Sequence, residues 1–237
     1  MIKFFRQIRQ KLLSENKFSK YLLYAIGEIV LVVIGILIAL QINIWKEYRK
    51  DREKEKIILN DLAENIKINI KTFQNDLDSL HEWNLSSEIV IQSITNELPY
   101  SNTLKQHFHS ARITKQNLLP SKAGYEGYKD QGLDIITNKV LSSEIIKLYE
   151  VTIPGHLSTL DIVNQFYPPF DNHIVQNFNY LKGEGLTPHD YTSLFSDHFY
   201  ISWIKAYAQG RLDLIEVDKK LIKECESVLK LIENELN

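Results

Sequence analysis

The chain has a single cysteine, Cys225, among 237 residues. One thiol excludes an internal disulfide and any zinc site built on cysteines. Cys225 falls on an apolar helical stripe, the place of a small core residue. Glycine and proline are scarce, at nine and six, and neither occurs anywhere in residues 46–98. Three of the nine glycines crowd into residues 120–132, PSKAGYEGYKDQG. No G-x-x-x-x-G-K-[ST] accompanies them, so they do not form a phosphate loop, and a short helix between turns is expected there. No segment alternates apolar and polar residues over a useful length, and no repeat is visible. A nucleophile elbow and a trustworthy metal-ligand spacing are also missing. These absences argue against an enzyme, and no cofactor is expected. An excess of positive charge is lacking too. Setting aside residues 1–45 leaves 22 Lys or Arg and 28 Asp or Glu, a net of −6 for residues 46–237. Nothing in that balance points to nucleic acid.

What the chain does have is residues 22–40, LLYAIGEIVLVVIGILIAL. These nineteen residues carry one charge, Glu28. At about 1.5 Å per residue they cover roughly 28 Å as a helix, close to the hydrocarbon thickness of a bilayer. The chain therefore divides into a basic amphipathic segment (1–20), a transmembrane helix (21–45) and an extramembrane domain (46–237).

Residues 1–20 hold six Lys or Arg against Glu15 alone. Phe5, Ile8 and Leu12 recur at helical spacing, with Lys3, Arg6 and Lys11 on the other side. Such a segment suits the surface of an anionic leaflet, with Lys3, Arg6, Arg9 and Lys11 toward the headgroups. Trp45, with Tyr21, Tyr24 and Tyr48, suits the aromatic belts. No A-x-A site follows the apolar run, so an uncleaved signal anchor is expected. Basic residues tie at six on each side, since residues 46–56 also carry six. The undiluted amino-terminal cluster favours that end in the cytoplasm and the distal domain outside the inner membrane.

An ionised carboxylate inside a span is costly. At 100° per residue Glu28, Gly35 and Ala39 share one stripe with Tyr24, Leu31 and Ile42. Gly35 and Ala39 form a small-xxx-small pair that lets two backbones approach closely. The expectation is a homo-oligomer in which a protonated Glu28 hydrogen-bonds between subunits. The alternative is an ion- or proton-responsive site at Glu28, as in an oligomeric pore.

Beyond the span, Leu62, Ile66, Ile70, Phe73, Leu77 and Leu80 recur every three or four residues, the mark of a helix with one buried face. Residues 101–119 predict a shorter helix. Its His107 and His109 would point about 200° apart and could not share a metal. Ser142 or Ser143 is the expected cap within residues 133–149. Pro154-Gly155 is read as a break, residues 157–181 as helix interrupted at Pro168-Pro169, and residues 182–188 as a loop. His156, Asp171 and His173 are too irregularly spaced to be assigned a metal. Residues 193–237 predict the last long helix, with Leu214, Leu221, Cys225, Val228 and Ile232 on one face. The expected fold is all-α: one amino-terminal transmembrane helix, then an antiparallel helical bundle whose two long helices pack face to face.

The block FSKYLLYAIGEIVLVVIGILIALQINIW (18–45), with the opening MIKFFRQIRQKLLSENK, resembles a large family of uncharacterised single-span membrane proteins from Bacteroidota bacteria. The shared features are the basic start, the inset Gly27-Glu28 and the exit Gln41-Ile42-Asn43-Ile44-Trp45. A looser likeness continues through Tyr125 to Lys139 and the helical tail. The resemblance implies a gram-negative envelope location and no activity; the partners expected of the chain are the bilayer, further copies of itself and an envelope protein.

Overall fold

The computed structural model describes residues 18–113, 118–164, 168–181 and 183–237. The chain divides into two compact units, Met1–Lys54 and Glu55–Asn237. Helix α1, Phe18–Thr95, contributes to both. Within the first unit the large apolar side chains from Leu22 to Ile44 are exposed, Ile29 at 64% and Leu23 at 77%. This helix is long and apolar enough to cross a membrane, and none of its most apolar stretch is buried.

The second unit is all-α apart from one small hairpin. In order it contains the rest of α1, α2 (Leu104–Ala111), α3 (Ala123–Gln131) and α4 (Lys139–Lys147). A π turn (Leu148–Thr152), α5 (Ile153–Asn164) and α6 (Pro168–Asn177) follow. Strands β1 (Phe178–Leu181) and β2 (Gly185–Pro188), a 3-10 turn (Thr192–Ser196) and α7 (His198–Leu236) complete it. The stripe read from the sequence is the buried one: Leu62, Ile66, Phe73 and Leu80 are all fully enclosed. Leu77, expected among them, is only partly buried. Lys67 Nζ approaches Glu233 Oε1 at 4.0 Å, and Ser87 Oγ accepts a hydrogen bond from Arg211. Numbers that rise along α1 thus fall along α7, so the two long helices run antiparallel.

Their apolar faces enclose two cores. One gathers Leu62 and Phe73 of α1, Tyr128, Ile145, and Leu221, Cys225 and Ile232 of α7. The other gathers Val90 and Ile94 of α1, Phe108, Phe170, Phe178, and Tyr200 and Ile204 of α7. Helix α1 ends in a Schellman motif. Leu98 N–H donates to Ser93 O at 2.9 Å, and Glu97 N–H to Ile94 O at 3.1 Å, with Glu97 at φ 50°.

Several expectations are corrected. The helix predicted over 101–119 is confined, among the described residues, to Leu104–Ala111. Asn138, not Ser142 or Ser143, caps α4, its side chain accepting from Leu141 N–H at 3.2 Å. Ser142 is buried and bonds the Tyr128 hydroxyl at 2.7 Å instead. Pro154-Gly155 is not a break. Ile153 N–H reaches five residues back to Leu148 O, and this π turn leads into α5, which carries Pro154 in its first turn. Proline has no N–H and crowds the carbonyl four residues before it, so a local change of register lets the helix continue.

Phe178–Leu181 and Gly185–Pro188 pair as antiparallel strands rather than forming helix end and loop, with Phe178 opposite Pro188 and Leu181 opposite Gly185. Gly185, at φ 91°, packs so close to the Lys105 carbonyl that a Cβ would overlap it. The last helix starts at His198, where Asp197 Oδ1 accepts from Tyr200 N–H at 2.9 Å.

Candidate functional site

The polar residues that interrupt the apolar stripes are where the second unit departs from plain packing. On α1 these are Glu55, Asn65, Asn69 and Asp76; on α7 they are Arg211 and Asp218. All six are buried. Each brings a specific bond or a specific cost, because a buried polar group without a partner is destabilising.

Three of them, Glu55, Asn65 and Asn69, hold the chain on either side of the segment that carries the Tyr-Glu-Gly-Tyr sequence. Asn69 Oδ1 accepts from Ser121 N–H at 2.7 Å, while its amide donates to Ser121 O at 2.9 Å. Asn65 donates to Ser121 Oγ at 2.6 Å and accepts from the Tyr149 hydroxyl at 2.8 Å. Glu55 accepts from Thr137 N–H at 2.7 Å. Gly124 lies where a Cβ would meet Asp61 O at 2.8 Å. Tyr125 stacks on Tyr149 with ring centroids 4.7 Å apart, and burial pushes its hydroxyl up to about 12. Arg211 sits between the two cores and donates to the carbonyls of Ala111 and Ile113 at 3.1 and 2.7 Å. These are framework contacts that fix the end of α2 on α7 and α3 on α1.

Asp218 builds something different. His156 Nε2 stands 3.0 Å from Asp218 Oδ1, with the two side chains 2% and 0% exposed. Phe73 meets the ring edge-on at 6.1 Å between centroids. The approach of His156 to Asp218 is a close charge-pair distance without hydrogen-bond geometry: neither ring nitrogen of His156 and neither carboxylate oxygen of Asp218 has a hydrogen-bond partner among the described residues. The π turn places His156 here. The altered register turns Thr152, Gly155 and His156 toward α7, where they line a cavity of about 260 Å³ with Val217, Lys220, Leu221 and Glu224. A neighbouring cavity of about 190 Å³ shares Thr152 and Glu224 and adds Leu148, Val228 and Leu231. Single π turns inside helices recur at functional sites.

The residues singled out from the sequence lie elsewhere. Gly35 and Ala39 are exposed on the apolar stretch of α1, and Glu28 is half-buried there. A Cβ at Gly35 would meet nothing within 4 Å, so no contact among the described residues requires a glycine there. Trp45 is 61% exposed, and Arg49 lies over its ring at 5.8 Å. Lys3, Arg6, Arg9 and Lys11 lie outside the described residues. His107 and His109 diverge as their spacing requires. His107 Nδ1 is 3.2 Å from Ser86 Oγ, and His109 stacks on Tyr180 at 5.6 Å. His173 Nε2 pairs with Asp197 at 2.7 Å, so His156 and His173 serve different carboxylates. No group of three or more His, Cys, Asp or Glu side chains placed to hold a metal occurs among the described residues. The sequence reading missed Asp218 and Arg211, although both signals were visible. Each is a charge set at core spacing between Tyr207, Leu214 and Leu221.

A model for a family of unknown function (DUF6090) matches residues 28–114, which take in most of α1 and all of α2. The His156–Asp218 site lies beyond that match. Nothing among curated proteins and nothing among solved structures matches the chain.

Proposed function

We propose that this chain is a single-pass membrane anchor carrying a helical scaffold, sensing or interaction module of a bacterial envelope, assembled as a homo-oligomer through its span. The observation that carries the reading is the fully exposed apolar stretch of α1, set beside a second unit that encloses its own cores. An exposed apolar surface of this size needs lipid or another protein to cover it. In lipid, helices gain nothing hydrophobic from meeting, so small residues and buried polar contacts must supply the attraction. Gly35 and Ala39 offer the first and Glu28 the second. The undiluted basic cluster at residues 1–20 supports an amino terminus in the cytoplasm and a distal domain in the periplasm. Lys3, Arg6, Arg9 and Lys11, with Trp45, suit the membrane surface. The role is binding and assembly rather than catalysis.

The test is crosslinking of the full chain in membranes. Gly35→Leu should weaken association by bulk. Glu28→Gln should largely preserve it, because an amide still donates. Unchanged crosslinking in Gly35→Leu would move the interface elsewhere. An intact oligomer that loses its biological function on Glu28→Gln would favour the ion-coupled reading, in which Glu28 serves a pore or proton path.

A further inference from the structure

We propose that the paired cavity beside the π turn binds a small zwitterion with an aliphatic tail. Its ammonium end would lie against Glu224 and the His156–Asp218 couple, and its carboxylate end against Lys220. This deepens the sensing part of the reading above and rests on it.

Four observations converge. First, His156 is 4% exposed, lines the larger cavity, and its Nδ1 has no hydrogen-bond partner. The Asp218 carboxylate, 3.0 Å from Nε2, favours a positive group on the other side of the ring. Second, Lys220 and Glu224 stand one turn apart on α7 and both line this cavity. Among the described residues neither makes an ion pair within 4.0 Å. Their neighbours do: Lys219 reaches Glu216 at 2.9 Å, and Lys147 reaches Glu144 at 3.7 Å. One free charge of each sign at the mouth of one cavity is complementary to a ligand carrying both. Third, the adjoining cavity sets Leu148, Val228 and Leu231 among the polar side chains of Glu144, Lys147, Thr152, Glu224 and Ser227, and those three can meet an aliphatic substituent. Fourth, the larger space, at about 260 Å³, falls just under the roughly 300–1,000 Å³ typical of drug-sized ligands. The occupant is therefore a molecule of few heavy atoms. The Thr152 hydroxyl, shared by both cavities, adds one more polar group.

The test uses the full chain in nanodiscs and isothermal titration with three probes: L-leucine, 3-methylbutylamine and 4-methylpentanoate. The amine lacks leucine's carboxylate, and the acid lacks its ammonium. Leucine should bind saturably at one per chain, and each analogue at least tenfold more weakly. Lys220→Gln should bring leucine down to the level of the amine, and Glu224→Gln down to that of the acid. His156→Gln should weaken leucine at least tenfold. That variant alters a buried pair, so the two rim variants, read with an unchanged helical circular dichroism spectrum, keep the proposal exposed to failure. Folded protein that takes up no leucine, or that binds the amine equally well, overturns it. Alkaline washing of membranes reads the anchor separately. A chain that stays in the membrane but ignores leucine loses this site alone. A chain washed free that still binds leucine loses the anchoring reading alone.

Discussion

Two glycines three residues apart in α3 should respond to alanine in opposite ways. Both lie in helical backbone, where alanine gains about 0.5–1 kcal/mol over glycine. At Gly127 nothing lies within 4 Å of an added Cβ, so the gain stands alone. At Gly124 the same atom would lie 2.8 Å from Asp61 O and 3.0 Å from Asn65 Cβ. Both neighbours belong to α1, and Asn65 is already held by Ser121 and Tyr149. The helices must separate, lengthening those bonds, and overpacking of this kind costs about 1–3 kcal/mol. Gly124→Ala should therefore lose about 1 kcal/mol net, while Gly127→Ala gains up to about 1. A domain of 150–250 residues shifts its Tm by about 2–4 °C per kcal/mol. The two variants should melt about 4–8 °C apart, with the wild type between them. Thermal melts followed by circular dichroism at 222 nm on the full chain in detergent read this directly. Equal melting temperatures would refute the close packing of α3 on α1.

Arg211→Leu should destabilise by about 1–3 kcal/mol, read as a lower urea midpoint, because the Ile113 carbonyl loses the guanidinium donor and the Ala111 carbonyl keeps only Ser87 Oγ at 3.4 Å. Burial, with Glu224 and Glu226 nearby, pushes the Cys225 thiol up to about 12 from an ordinary value of 9.0. The folded state then keeps a proton that the unfolded state releases above about pH 9. The contribution of Cys225 to stability is therefore complete below that pH and is lost as pH rises from about 9 to about 12. Iodoacetamide at pH 8 should accordingly leave the native thiol unmodified and label it once the chain is unfolded in urea.

The long elements were legible because a buried helical face repeats every three to four residues over many turns. Leu62, Ile66, Phe73 and Leu80 on α1, and Leu221, Cys225, Val228 and Ile232 on α7, could hardly be read otherwise. The hairpin was not legible. Its strands have four residues each, too few to show alternation. Its sharp reversal depends on Gly183 and Gly185 at positive φ, and Gly185 is further required by contact with a helix some eighty residues earlier. The π turn was missed for a related reason. Proline predicts a break from local sterics, and whether the helix stops or shifts register depends on the packing around it. The His156–Asp218 couple was half visible. An acid on a core stripe is a local signal, but its partner 62 positions away is a fact of the fold. The candidate site is thus written in residue types whose pairing only the tertiary structure supplies.

The most direct measurement is the copy number of the full chain in native-like nanodiscs, by native mass spectrometry, for wild type and Gly35→Leu. An anchor that associates through Glu28, Gly35 and Ala39 predicts two or three copies in the wild type and a shift toward monomer in the variant. A wild-type monomer would contradict self-association through the span. Five or more copies would contradict the anchor in favour of a pore lined by Glu28.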